Sequence, residues 1–509
     1  MSNAPVAGVD PRTGTTLAPT AEETSTGEVS RIAESALVAA KELISIGRER
    51  RAHLLDRIAA RVEERREDLV RTAAQETGFA DQKLAGEINR TVYQLRFFAE
   101  VIREGSYLEA TLDPAAETPM GPRPDLRRLL VPIGPVAVFG ASNFPFAFSV
   151  LGGDTASALA AGSPVVVKAH GSHPATSLLS YQVLQQGLQD SGLAPDTIGI
   201  VFGTRAGADL VGHPAIKAVG FTGSLSGGRA LLDIVNKRPE PIPFYGELSS
   251  LNPVVVTAGA ARERGTDIGA GLVASFTIGS GQLCTKPGLV FVPANADGDE
   301  VIAAATKGIE STSAQVLLNE RIFRTYSDET QSLTGRADLK VTRGESAQGH
   351  GFQAQPMFFE ANVDTVNSEL VSEIFGPVTV VVRYTPDVIL DDVERALSVL
   401  PSSLTATIHH ADNEPIVSEL SEIVAHRAGR IVFNGFPTGV AVSWAQTHGG
   451  PWPSTNSLHT SVGATAIRRF LRPVTYQNAP AAILPEELRD GFDSIPRRVD
   501  GALQPCVRS

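Results

Sequence analysis

The sequence predicts an α/β protein organised on a doubly wound parallel sheet of the dinucleotide-binding, Rossmann-like kind. Two observations predict it. Between Pro132 and about Tyr245, short apolar runs alternate with segments of helical period. From about Leu251 to Asn434 a second set of apolar runs surrounds one cysteine set among glycines, GSGQLCTKPG at 279–288. A chain of 509 residues has room for two or three such units, and 42% hydrophobic against 20% charged residues is an ordinary globular balance.

The elements follow in order. The first twenty residues are polar and broken by Pro and Gly, without the basic start and apolar run of a signal peptide. Val29 to Glu104 places apolar residues at i, i+3, i+4 and i+7 between Glu and Arg, which predicts amphipathic helices packed on something larger, with no chemistry visible in them. Ser106 to Leu130 reads as two extended segments joined by a loop. GPVAVFG, SPVVVKA, TIGIVFG, AIKAVGFTG and IPFYGE are then the sheet strands, with DTASALAAG, HPATSLLSYQVLQQGLQDSG, a short segment and SLSGGRALLDIVNKR as helices. Val131 to Gly153 carries no charge, but its Pro and Gly residues fit strand, loop and helix start better than a membrane span. In such sheets ligands bind beyond the carboxyl ends of the strands, at Asn143, Lys168 to His170, Gly203 to Arg205 and Thr222 to Ser224. NPVVVTAGA, KPGLVFVP, FGPVTVVVRY and GRIVFNG, with a helix after Asp297, make a second α/β region. The tail from Arg468 is extended and marked by proline.

Net charge is −12 with no basic stripe, which argues against nucleic acid or an anionic membrane as partner. Cys284 and Cys506 are the only cysteines, so no disulfide framework is expected and a reducing cytoplasm fits. No residue is assigned to a metal.

Several residues carry possible chemistry. Glycine lets a backbone pass close to a ligand, so Cys284 on its glycine-rich segment is either a presented nucleophile or a small buried hydrophobe. Glu247, in FYGELSSLNP, is either a solvated loop carboxylate or a base that activates water. Asn143, in ASNFPF, is either a turn residue or an amide donor to a developing oxyanion. Lys168 closes a strand where a cofactor ribose or phosphate would lie. Ser224 and Gly228, following Thr222 and Gly223 at the strand end in GFTGSLSGG, begin a helix whose N–H groups suit a diphosphate. Glu373 and Phe375, in SEIFGPV, are either an exposed acid and a core ring or a ribose-binding carboxylate and a nicotinamide-side ring.

Taken together, ASNFP, VVVKA, GFTGS, GELSSLNP, GQLCTKPG and EIFGPV resemble the aldehyde dehydrogenase superfamily in order and spacing, from about Asp10 to Gln477. The resemblance implies a cofactor-binding domain (1–105 and 132–246), a catalytic domain (247–467) and bridging segments (106–131 and 468–490) that make a homodimer or homotetramer. It implies that Cys284 attacks the aldehyde, that Asn143 and the Cys284 N–H hold the oxyanion, and that Glu247 activates water on the thioester. Members that pass the acyl group to coenzyme A typically lack this glutamate. Lys168 and Glu373 would hold ribose hydroxyls, while Thr222, Ser224 and Phe375 would line the cofactor. Two departures stand out. KAHG places Gly171 where NAD-preferring members often carry a glutamate, so His170, Ser172 and Arg205 are expected to receive the 2′-phosphate of NADP, with NAD as the other cofactor. GELSSLNP places serines where many members have glycines. The stretch from ASNFPF to ATS, the loop FPTGVAVSWAQTHGGPWPSTN and the ending RRFLRPVTYQ resemble the branch that oxidises 2,5-dioxopentanoate (α-ketoglutaric semialdehyde) to 2-oxoglutarate. Its relatives include broad NADP-dependent aliphatic aldehyde dehydrogenases. Substrate contacts are expected from Phe148 and the helix after it, Gln282, Leu283, Trp444 and Gln446. No arginine pair for an acidic substrate is evident. A non-catalytic, binding-only relative would be expected to lack the cysteine, glutamate or asparagine, and all three are present.

Overall fold

A computed structural model describes residues 4–367 and 370–506. The cofactor-type sheet has five parallel strands in the order Phe244–Glu247, Ala218–Thr222, Val136–Phe139, Val165–Lys168, Ile198–Val201. Its apolar runs are buried on both faces, as a parallel sheet covered by helices requires. Strand order reverses on either side of Val136–Phe139, which sets a ligand crevice at the carboxyl ends beside it. The helices Gly153–Ala161, Pro174–Asp190, Thr204–Gly212 and Leu225–Lys237 connect the strands.

Four amphipathic helices precede this sheet: Thr26–Ser45, Gly47–Glu64, Arg66–Thr77 and Asp81–Glu104. Before them, Pro5–Asp10 and Thr15–Glu22 form an antiparallel hairpin that the polar, Pro- and Gly-broken composition did not suggest. A second sheet has seven strands in the order Lys340–Arg343, Met357–Asn362, Val378–Tyr384, Leu289–Pro293, Val254–Val256, Ser403–His409, Ala428–Phe433. Only the pairing of Lys340–Arg343 with Met357–Asn362 is antiparallel. Ser403–His409, buried along its whole length, sits between two expected strands. Its run SLTATIH mixes polar and apolar residues, so it lacks the continuous apolar signature.

The segments expected to bridge subunits pair as a separate sheet in the order Leu471–Gln477, Leu126–Pro132, Thr111–Asp113, Arg497–Val499, Ala502–Gln504. Its last two strands lie beyond the 468–490 span read from the sequence. Among the described residues, no helix is long and apolar enough to cross a membrane.

Candidate active site

The helix Ala258–Thr277 ends beneath a short turn, Ile278–Gly281, in which Gly279, Ser280 and Gly281 all have φ near +60°. Gly281 is the position where only glycine fits: a Cβ there would lie 2.1 Å from the Gly376 carbonyl oxygen. Chain passage through this turn delivers Cys284 to the wall of a cavity of about 980 Å³.

The loop carrying Cys284 is fastened from behind. Asn252, itself at φ +54°, donates its Nδ2 hydrogens to the carbonyls of Cys284 at 2.8 Å and Lys286 at 2.9 Å. Ser250 Oγ donates to Asn252 Oδ1 at 2.6 Å and accepts the Leu404 N–H at 2.8 Å. Buried Lys286 donates to the carbonyls of Ile374, Gly376 and Val378. One of the unusual serines in GELSSLNP therefore belongs to the scaffold of the cysteine loop. Asn252 and Lys286 passed unremarked because neither an Asn before Pro nor a Lys after Thr signals burial.

Glu247 ends its strand beside Thr222 in the parallel ladder, and its carbonyl accepts the Gly223 N–H at 3.0 Å. Sheet register thus sets the carboxylate next to the segment expected to meet the cofactor. Its side chain is buried, with Oε2 accepting from Ser461 Oγ at 2.7 Å and Oε1 lying 2.9 Å from His448 Nε2. The same nitrogen lies 3.5 Å from Cys284 Sγ, and ligating atoms of Glu247, Cys284 and His448 all fall within 4.8 Å of one another. Burial pushes the Glu247 carboxyl up, but His448, Ser461 and the Cys284 thiol together outweigh it and hold it below its ordinary value. Burial, followed by the charge of Glu247, pushes the Cys284 thiol well above its ordinary value. His448 and Ser461 were missed by the sequence reading. The signal for His448 was a histidine between polar residues and two glycines, THGG, in a loop already singled out.

Asn143 is buried and donates Nδ2 to the Gln282 carbonyl at 2.7 Å, so its amide sits against the residue two before Cys284. Its loop hangs on Glu87, whose Oε1 accepts the N–H groups of Phe146 at 2.7 Å and Ala147 at 2.9 Å.

At the sheet edge, Lys168 pairs in the ladder with Val201, three residues before the helix that carries Arg205. Burial lowers the Lys168 amine, with no carboxylate to offset it. Gly171 is exposed, and a Cβ there would meet nothing within 4 Å, which leaves room beside the strand for a bulky anionic group. Arg205 is extended into solvent, 3.9 Å from Asp209. His170 is half-buried, stacks on His173 at 5.5 Å and accepts the Ser172 N–H at 3.1 Å. Burial first, then His173 and Lys168, pushes it well below its ordinary value, so the ring is neutral. Ser172 is buried and its hydroxyl accepts from Asn319 at 2.9 Å. Ser224 is the exposed N-cap of Leu225–Lys237, accepting the Gly227 N–H at 3.3 Å. Gly228 is closed against Leu248, which a Cβ would meet at 2.3 Å. Across the cleft, Glu373 Oε2 accepts from Ser249 Oγ at 2.6 Å, and burial raises its carboxyl. Phe375 is partly buried against the main core. A lysine with no carboxylate partner, open space, a helix N-terminus and a half-buried carboxylate suit the phosphates and ribose hydroxyls of a dinucleotide.

The substrate set needs correction. Phe148 lines the cavity, 5.3 Å from the Phe144 ring and 6.3 Å from the His448 ring. Gln282 does not: it is fully buried, with Oε1 accepting the Leu318 N–H at 3.0 Å. The turn at 279–281 aims it into the scaffold while Leu283 and Cys284 face the cavity. Trp444 is half exposed, edge-on to Phe97, and Gln446 donates to the Thr447 carbonyl; neither lines the cavity. Lys83 and Arg90, from a helix read as free of chemistry, do.

The aldehyde dehydrogenase family model matches residues 2–475. The chain is 43% identical over 483 residues to an α-ketoglutaric semialdehyde dehydrogenase of Acinetobacter baylyi, covering 94% of this chain and 91% of the relative. It is 45% identical over 461 residues to α-ketoglutaric semialdehyde dehydrogenase 2 of Azospirillum brasilense, covering 89% and 87%. Among solved structures it matches aldehyde dehydrogenase C of Pseudomonas syringae with a TM-score of 0.78 at 23% identity, covering 94% of this chain and 95% of the other. It matches a 1-pyrroline-5-carboxylate dehydrogenase from Thermus with a TM-score of 0.79 at 21% identity, covering 92% and 89%. With a family match across most of its length, this chain belongs to the aldehyde dehydrogenase family, the NAD(P)-dependent oxidoreductases that turn aldehydes into acids.

Proposed function

We propose that the protein oxidises 2,5-dioxopentanoate to 2-oxoglutarate, taking NADP in preference to NAD. The observation that carries the chemistry is that Cys284, on the wall of a cavity wide enough for a small aldehyde, has the buried Glu247 and His448 within 4.8 Å behind it. The substrate rests on the two relatives named for it, at 43% and 45% identity.

Glu247 takes the thiol proton as Cys284 Sγ adds to the aldehyde carbon, giving a thiohemiacetal. Asn143 Nδ2 and the Cys284 N–H donate to its oxyanion, an interaction worth about 3–4 kcal/mol in comparable acyl-transfer sites. A bound NAD(P) would supply the acceptor for the hydride that leaves the thiohemiacetal carbon. Cys284 then carries a thioester. Glu247, having released its first proton to solvent, takes one from water, whose oxygen adds to the thioester and displaces the thiolate as the acid leaves. His448 and Ser461 hold the carboxylate in place throughout. Lys168, Glu373 and the N-terminus at Ser224 would hold the cofactor. Gly171, Arg205 and the neutral His170 favour a 2′-phosphate, because no carboxylate stands where it would repel one. We further propose a homo-oligomer joined through the bridging sheet and a cytoplasmic location, the latter supported by two free cysteines.

Steady-state kinetics on 2,5-dioxopentanoate with each cofactor, and without coenzyme A, tests the reading. Free 2-oxoglutarate and a higher kcat/KM with NADP are expected. A dependence on coenzyme A, or a preference for NAD of more than roughly tenfold (about 1.4 kcal/mol), would remove it.

A further inference from the structure

The cavity in front of Cys284 is unevenly charged. Its wall includes the apolar side chains of Phe79, Phe144, Phe148, Ile278, Leu283 and Val440, two basic residues, Lys83 and Arg90, and, among the described residues, no acidic one. Both cations come from the helix Asp81–Glu104, with Glu87 between them; positions 83, 87 and 90 are i, i+4 and i+7 and share one face. Lys83 Nζ is 3.8 Å from Glu87 Oε2, while the other carboxylate oxygen is taken by the Phe146 and Ala147 N–H groups. As an ion pair, Lys83 and Glu87 offset one another. Arg90 is then the cation left over.

Its guanidinium is poorly matched for a half-buried charge. It stacks 4.8 Å from the Phe148 ring and reaches only Gln94 Oε1 at 3.3 Å and the Val440 carbonyl at 3.5 Å. No carboxylate of a described residue pairs with it within 4.0 Å. A guanidinium presents five donors in a planar fork suited to one carboxylate, and leaving such a charge without an anion in a confined space is costly. With no carboxylate of a described residue at ion-pair distance, this one positive charge on the wall can match one negative charge on a ligand.

We propose that the Arg90 guanidinium, supported by Lys83, receives the carboxylate of a monoanionic aldehydo-acid whose aldehyde end reaches Cys284. The proposal rests on the substrate reading above and adds the specificity-determining residues. Arg90 selects for a terminal carboxylate, and the aromatic wall holds the carbon chain between the two ends. An uncharged aldehyde of equal length enters the same cavity but leaves Arg90 unpaired.

The test compares kcat/KM for 2,5-dioxopentanoate and for pentanal in the wild type, Arg90→Met, Arg90→Lys and Lys83→Met. The wild type favours the acid. Arg90→Met lowers the acid-to-pentanal ratio by roughly 100-fold, the scale of removing one partner of a buried charge pair, with the loss in KM for the acid. Arg90→Lys restores part of the ratio, and Lys83→Met lowers it less. Because Arg90 also braces Gln94 and Val440, Lys83→Met keeps the test open should Arg90→Met fail to fold. A wild type that favours the acid, with a ratio unchanged within about threefold in both Met variants, overturns the proposal and leaves the substrate reading standing. A wild type that favours pentanal overturns the substrate reading and the proposal together.

Discussion

The two sides of Cys284 are built on opposite terms. Behind the sulfur, Glu247, His448 and Ser461 satisfy one another at 2.7–2.9 Å, and the Glu247 side chain is only 3% exposed. In front, Arg90 and Lys83 stand on an open cavity with bonds at the edge of hydrogen-bonding range. A closed network fixes a base and leaves little to reorganise during reaction. An under-satisfied cation does the reverse: its strongest partner is absent until a ligand brings it. The difference separates chemistry from recognition on two faces of one thiol.

Breaking the closed side should cost more than loosening its edge. His448→Ala is expected to lower kcat about 10–100-fold, as it frees the carboxylate proposed as the base. After burial, His448 is the largest influence on the Glu247 carboxyl and the one that lowers it most. Without it the folded-state value rises, and the acid limb of the kcat/KM profile moves to higher pH. An unmoved limb would show that His448 acts elsewhere. Ser249→Ala should act more weakly. Ser249 occupies one oxygen of Glu373, so its loss frees that carboxylate to turn, and KM for NADP should change by roughly threefold with kcat almost constant. A fall in kcat without a change in KM would place Ser249 in the chemical step instead.

Much of this was legible in the sequence where function is written locally. The alternation of apolar runs and helices gave the five parallel strands, because strands buried on both faces need continuous apolar runs. Cys284, Glu247 and Asn143 stood out by residue type at strand ends and glycine-rich turns, and the structure brings them together through the contacts with His448 and Gln282. Arg90 and Lys83 were not legible. On an amphipathic helix a Lys or Arg reads as the wet face, and only the packing of Phe144 and Phe148 over that face makes it a cavity wall. Gln282 misled for the opposite reason: it adjoins the nucleophile in sequence, but three successive left-handed residues turn it inward. His448 is 164 residues from Cys284, a separation that no local pattern bridges.

The central claim is that Cys284 holds the acyl group while Glu247 activates the water that releases it. Pre-steady-state formation of NADPH by Glu247→Gln tests this most directly. Gln keeps the shape but loses the base, so the account predicts a burst approaching one NADPH per site, followed by a steady rate roughly 10²–10³-fold below wild type. A burst and a steady rate that fall by the same factor would contradict it.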